Sequence, residues 1–339
     1  MRKVVIGLLS AAAIAVLGAA SASSAEKQVL KMAYWAGPSH QMVQTLDAWI
    51  KTIEAASGGN LTVEVDKAAL GKMDAQYDLI RNGVRDLGWA VPGYTVGRFD
   101  MLQAAELPLL CANPATCSPV VWKWYTKHGL AEKEFTDTKL LITWMGGPYG
   151  IHTVKPVKTL DEIKALKIRA AGPSLPMAKA LGLNAVPLPA TETYEAVQKG
   201  TVDGSVFPWE AMPSFRLNEL LKGHLEVPGG LGAPSFVIVA SRKAFDNLTA
   251  ENKAALMKAS GEAGAALIGK AWHAADERGR EDAKQKGQTT ETVAPAEFEK
   301  WKPLLKPVTD DWVKKADQKG QDGRKLLEDL ETMIKAASS

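Results

Sequence analysis

The chain has 339 residues, a formal net charge of +3 and 46% hydrophobic residues. That length suggests about two domains with a sizeable core, and so small a charge excludes the basic footprint of a nucleic-acid binder. The five histidines are scattered, and no HExxH, GxSxG, Walker A or GxGxxG pattern occurs, so the commonest enzyme signatures are missing.

In chain order, "MRK" is a basic start, "VVIGLLSAAAIAVLGAA" is an apolar run, and "SASSA" offers small residues at Ser23 and Ala25. These are the parts of a secretory signal, so residues 1–25 are expected to be removed and the mature protein to be periplasmic. The run is short and alanine-rich for a bilayer span. Loss of Arg2 and Lys3 lowers the charge from +3 to +1.

"LKMAYW" then reads as a strand, followed by the turn "AGPS" at Ala36–Ser39. Met42, Leu46, Trp49, Ile50 and Ile53 recur at helical spacing up to Gly58-Gly59. "LTVEV" alternates like a strand, a helix spans Ala75 to Asn82, and "DLGWAV" is the next strand. Cys111 and Cys117 follow; two cysteines in an exported chain predict a disulfide, and no histidine lies near at metal-ligand spacing. "LLITWMGG" (140–147) is a strand expected to run from one lobe toward a second.

The turn "AGPS" returns at Ala171–Ser174, after the strand "LKIRA" and before a helix over Pro173–Leu181. "AVPLP" and "VDGSVF" are the next strands, with Thr191 as a helix N-cap between them. "YDLIRNGVRDLGWAVP" in the first half and "YEAVQKGTVDGSVFP" in the second share Tyr, Ile/Val, Gly and Asp in register, so one internal duplication fits. Each copy alternates β and α units, which predicts an α/β fold with parallel sheets covered by helices. "SFVIVAS" (235–241) is the strand expected to run back. Thr249 is placed to cap a helix from Ala250 to Lys286, long enough to lie across both lobes, and two further helices follow Pro295. The expected lobes are 26–143 with 238–275, and 144–237 with 276–339.

Ligands of open α/β sheets bind outside the carboxyl ends of the strands. Tyr34, Trp35 and Trp89 stand at such ends in the first copy; Arg169, Phe207, Trp209 and Glu210 do so in the second. Arg169 is the expected partner of a ligand carboxylate, because a planar guanidinium matches that shape. Tyr149 and Phe236 lie beside the crossing strands, and His40 is placed either to bond a ligand or to cap a helix. Trp49, Trp122, Trp124 and Trp272 are expected in the core. Three tryptophans in one cleft favour an apolar or aromatic acid.

The segments "KIRAAG" and "GLNAVPLPATETYEAVQKGTVDG", with "ELPLL" and the "GRFD" that follows "PGY", resemble the solute-binding proteins of tripartite ATP-independent periplasmic (TRAP) transporters, the DctP type. The resemblance covers essentially the whole mature chain. It implies a two-lobe periplasmic binding fold (type II-like), with hinge strands, that closes on an organic acid paired with Arg169 and delivers it to membrane permease subunits. In the 2-oxo-acid branch of that family a Trp-Glu pair helps to hold a cation beside the substrate. Trp209-Glu210 matches it and implies Na⁺ or Ca²⁺ at Glu210, although Pro148-Tyr149-Gly150 stands where that branch supplies a glutamine. No other cofactor, no nucleic acid and a monomer are expected. The same cleft would serve another transporter or a sensor kinase. A periplasmic hydrolase is the alternative of another class, but neither Ser174 nor Ser205 has an assigned histidine partner.

Overall fold

The computed structural model describes residues 27–38 and 40–338. The expected signal segment and Ser39 of the first AGPS turn lie outside them. Two sheets organise the described chain. The first runs β2-β1-β3-β10-β4, from strands Gln28–Ala33 (β1), Leu61–Val65 (β2), Leu87–Ala90 (β3), Thr138–Met145 (β4) and Ser235–Ser241 (β10). The second runs β11-β9-β5-β8-β6-β7, from Gly150–Thr153 (β5), Lys167–Arg169 (β6), Asn184–Val186 (β7), Gly204–Phe207 (β8), Gly223–Glu226 (β9) and Thr289–Thr292 (β11).

The two copies of the repeat have the same topology. In each, the first strand lies between the second and third, all parallel: β2-β1-β3 and β7-β6-β8. A strand from outside the repeat then adds antiparallel to the third, β10 beside β3 and β5 beside β8. Strands β3, β8 and β10 are buried along their whole length, which is why they read as unbroken apolar runs.

The expected hinge strands belong to one sheet. Strand β4 continues to Met145 and β10 begins at Ser235, both in the first sheet, beyond the expected boundaries at 143/144 and 237/238. The chain crosses after their ends. There the outgoing and returning segments stay side by side: the Gly146 N–H donates to the Pro234 carbonyl at 2.7 Å, and the Tyr149 N–H to the Gly232 carbonyl at 2.8 Å.

Six long helices cover the sheets. Helix α1 (Gln41–Ala56) buries the predicted apolar face, including Met42, Leu46 and Trp49. Helix α2 (Pro114–Lys127) has Pro114 in its first turn, and Asn113 caps it by accepting from the Ala115 N–H at 2.8 Å. The Cys111–Cys117 disulfide pins that first turn to the preceding loop, with Cα atoms 6.0 Å apart.

The single helix expected over 250–286 is two helices. Thr249 caps α3 (Ala250–Ala259) as expected, but Ser260 is extended and Gly261 takes a φ of +58° before α4 (Gly261–Gln285) begins. Only glycine enters that region without strain. Helix α4 still touches both lobes, packing on α1, α2 and β4 and, further along, on β11 and the turn Ala211–Ser214. Thr191 is not an N-cap: it is exposed in the short 3₁₀ turn Ala190–Glu192, which leads into the helix Thr193–Gln198 without a side-chain cap.

Helix α5 (Pro295–Gln318) also bridges the lobes. Its Phe298, Trp301 and Leu305 sit in the core of the second sheet, while Trp312 and Ala316 sit in that of the first. Helix α6 (Gly323–Ser338) lies along α2, where the Trp124 indole donates to the Leu326 carbonyl. Among the described residues no helix is long and apolar enough to cross a membrane.

Candidate functional site

A cavity lies between the lobes at the carboxyl ends of the parallel strands. The first lobe contributes Trp35, His40, Met73, Trp89, Val91 and Tyr94. The second contributes Tyr149, Arg169, Phe207, Glu210 and Phe215; the crossing adds Pro234, and Phe236 enters from strand β10.

Arg169 ends β6, in register with Val186 of β7 and Ser205 of β8, and is only 2% exposed. Its guanidinium lies 4.2 Å from the Phe207 ring centre. The Nε donates to the Leu188 carbonyl at 2.9 Å and Nη2 to the Tyr94 hydroxyl at 3.0 Å. Among the described residues no carboxylate pairs with it. A charge removed from water needs a counter-charge or a full set of hydrogen bonds, so the geometry asks for an anion. Burial pushes the nearby Tyr149 phenol well above its usual range, against which the Arg169 charge acts. It is therefore a neutral O–H at any physiological pH.

The AGPS turn seats Tyr94. Gly172 has a φ of +53°, and a Cβ there would stand 2.6 Å from the Tyr94 ring. Across the same contact a Cβ on Gly93 would stand 2.5 Å from Pro173. The glycines let the two lobes touch, and the Tyr94 hydroxyl reaches Arg169 across the gap.

The other walls are aromatic. Trp35 and Trp89 pack with centroids 4.4 Å apart, and Phe215 lies nearly parallel to Trp35 (14°, 6.5 Å) and to Phe207 (18°, 5.9 Å). Phe236 is 5.9 Å from Trp89 and 5.0 Å from Trp272. The indole N–H groups of Trp35, Trp89, Trp144 and Trp272 are buried without a hydrogen-bond partner.

A polar cluster closes the end by α1. His40 caps that helix, its Nδ1 accepting from the Met42 N–H at 3.1 Å, and burial lowers its pKa to about 3. Its Nε2 stands 3.9 Å from Glu210 Oε2. Burial first, and Asp276 second, push the Glu210 carboxyl up to about 8. Asp276 of α4 accepts from the Glu210 N–H at 2.8 Å, and burial takes it up to about 7. Of the uses considered for His40 the helix cap is present, and the ring also lines the cavity.

Tyr34 and Trp209 do not line the cavity. Tyr34 is buried in the shared core, 2% exposed. The Trp209 indole points to the far side of the second sheet, donating to Glu226 at 2.8 Å and packing on His152 and His224. The side chains of Trp209 and Glu210, neighbours in sequence, face opposite ways. Among the described residues no group of three or more His, Cys, Asp or Glu side chains is gathered to hold a metal ion. Trp49, Trp124 and Trp272 are core residues as expected, and Trp122 is partly buried against Gly261. Sequence reading missed Tyr94, Phe215, Met73 and Val91. Tyr94 stood in the quoted "PGY", and Phe215 lies five residues after Glu210, but nothing in their local pattern separates cavity from core.

Residues 32–316 match the model of a protein family described as bacterial extracellular solute-binding protein, family 7 (DctP). A curated relative from Comamonas testosteroni, named outer membrane transporter protein TsaT, is 26% identical over 95% of both chains. The 2,3-diketo-L-gulonate-binding periplasmic protein YiaO of Escherichia coli is 25% identical over 74% of this chain and 77% of its own. Among solved structures, a marine metagenome TRAP solute-binding protein in complex with 3-hydroxybenzoate superposes with a TM-score of 0.86 at 30% identity, covering 93% of this chain and 100% of that one. A TRAP protein of Rhodoferax ferrireducens with copurified benzoate gives 0.85 at 30% identity over 92% and 99%. One from Bordetella bronchiseptica with (R)- and (S)-mandelate gives 0.86 at 29% over 91% and 99%. With most of its length fitting that family model, and its two-lobed course that of receptors rather than enzymes, the chain belongs to the bacterial extracellular solute-binding proteins of family 7, which serve TRAP permeases.

Proposed function

We propose that this receptor binds an aromatic monocarboxylic acid in the interlobe cavity, with Arg169 as the carboxylate partner. The observation that carries the reading is a buried guanidinium that no carboxylate among the described residues pairs with, at one end of a cavity walled by aromatic rings. The carboxylate would complete the charge pairing, with Tyr94 and Tyr149 beside it as hydroxyl donors. Trp35, Trp89, Phe207, Phe215 and Phe236 would cover the ring faces, where apolar contact is strongest in a cavity that excludes water. Benzoate, 3-hydroxybenzoate and mandelate, each bound by a structural neighbour, are acids of this class. The protein would act in the periplasm after loss of residues 1–25, as a monomer, with lobes that separate near Gly146–Pro148 and Pro234.

Calorimetric titration with benzoate, 3-hydroxybenzoate and mandelate tests this. At least one should bind the wild type. Arg169→Ala should lose about 3–5 kcal/mol, a hundredfold or more in affinity, because it strips a buried carboxylate of its partner. Arg169→Lys should recover only part, since an ammonium cannot form the bidentate fork. Near-wild-type affinity in Arg169→Ala would remove the assignment.

A further inference from the structure

We propose that His40 and Glu210 form a second recognition point that reads a hydroxyl group on the ring of the bound acid. The inference rests on the aromatic-acid reading above. It begins with what His40 can still do. Its Nδ1 is occupied by the Met42 N–H, so a neutral ring carries its proton on Nε2. That donor makes no hydrogen bond to any described residue. Its nearest acceptor, Glu210 Oε2, is 3.9 Å away, beyond hydrogen-bond distance. Both side chains line the cavity, and they are 2% and 4% exposed. A donor that opens into the cavity without a protein partner is placed to meet an occupant.

The charge state narrows what that occupant is. Glu210 accepts from the Ser214 hydroxyl at 3.0 Å and has no lysine or arginine partner among the described residues. Burial keeps its carboxyl protonated up to about pH 8, and burial likewise keeps His40 uncharged down to about pH 3. The pair therefore offers one N–H donor and one neutral carboxyl. A hydroxyl both accepts and donates. An oxygen about 2.8 Å from each atom would take a bond from His40 and make one with Glu210 at near a right angle. A second carboxylate would find no cation at this end.

The two polar points are separated by apolar wall. From Arg169 the wall runs through Phe207 and Phe215 to His40, with successive separations of 4.2, 5.9 and 5.3 Å. A ligand that touches both ends must lay an apolar body along that wall and carry a polar group at each end.

The test compares benzoate, its three monohydroxy derivatives and benzene-1,3-dicarboxylate by calorimetry. At least one hydroxybenzoate should bind the wild type about tenfold or more tighter than benzoate, and the dicarboxylate more weakly than benzoate. His40→Asn keeps a helix-capping acceptor and removes the Nε2 donor; Glu210→Met removes the carboxyl. In both, the hydroxyl preference, read as the ratio of hydroxybenzoate to benzoate affinity in the same variant, should fall to about one. Glu210→Gln, neutral and still able to hydrogen-bond, should keep the preference. Melting of each ligand-free variant confirms folding. Equal binding of benzoate and all hydroxybenzoates by the wild type overturns this inference alone, as does a preference that survives both His40→Asn and Glu210→Met. Failure of every aromatic acid to bind overturns the aromatic-acid reading and this inference together.

Discussion

Asp276 and Gly147 show how closely single residues are fitted around the lobe crossing. A Cβ on Gly147 would sit 1.6 Å from Asp276 Oδ2, so the outgoing segment passes directly over a buried carboxyl. That oxygen has no hydrogen-bond partner among the described residues; burial holds the proton on Asp276 to about pH 7 and, with Asp276 beside it, the proton on Glu210 to about pH 8. Unfolding releases them, because exposed carboxyls titrate near 4. The folded state then binds more protons than the unfolded one between about pH 4 and 8, and stability falls as pH rises through that window. Asp276→Asn, neutral throughout, should melt with a flatter dependence than wild type when both are scanned from pH 5 to 8. Identical slopes would show that Asp276 ionises normally. At this scale the sequence was informative where chemistry is unusual. Arg169 stood out as a charge at the end of an apolar strand. Trp209 was misplaced because strand-end position does not say which face a side chain takes, and the aromatic ladder with His152 and His224 forms only when β5, β8 and β9 come together.

Elements were legible where periodicity or a cap was strong. Helix α1, the strands of both copies, the Thr249 cap and the helices after Pro295 follow their patterns. The break at Ser260-Gly261 was hidden, since a glycine within an alanine-rich helical pattern is tolerated as often as it interrupts. Here Trp122 packs against Gly261 and leaves 3.3 Å for a Cβ. Strand β11 was missed because "TTET" has no apolar face; it is an edge strand added to β9. The disulfide is an element-scale brace, closing a short loop onto the first turn of α2. Chain-entropy reasoning gives it about 2 kcal/mol. Thiol titration of the denatured, unreduced protein should find no free thiol, and reduction should lower the melting temperature without loss of fold; two titratable thiols would count against the bridge.

At the scale of the whole molecule, two long helices bridge the lobes, and across the cleft itself Tyr94 meets Arg169, Gly93 lies against Pro173, and His40 and Trp35 face Glu210 and Phe215. The linking segments beside Gly146 and Pro234 hydrogen-bond to one another, so they can bend together while the sheets stay rigid. Small-angle scattering should therefore record a larger radius of gyration for ligand-stripped protein than for the complex, and Tyr94→Phe should shift the stripped protein further open. No change on ligand removal would mean that the lobes stay together by themselves. Ten tryptophans make the same motion visible in another way. Trp35, Trp89, Trp144 and Trp272 form a run of neighbouring rings whose buried N–H groups find no hydrogen-bond partner among the described residues. Indoles in so dry a setting emit at the blue end of their range, and excitation passes readily along a row of rings only a few ångströms apart. Two of the four line the cavity, so opening would wet them and an arene resting against Trp35 would quench the row. The receptor thus carries its own optical gauge of occupancy, and its capture of a solute could be timed in milliseconds without a label.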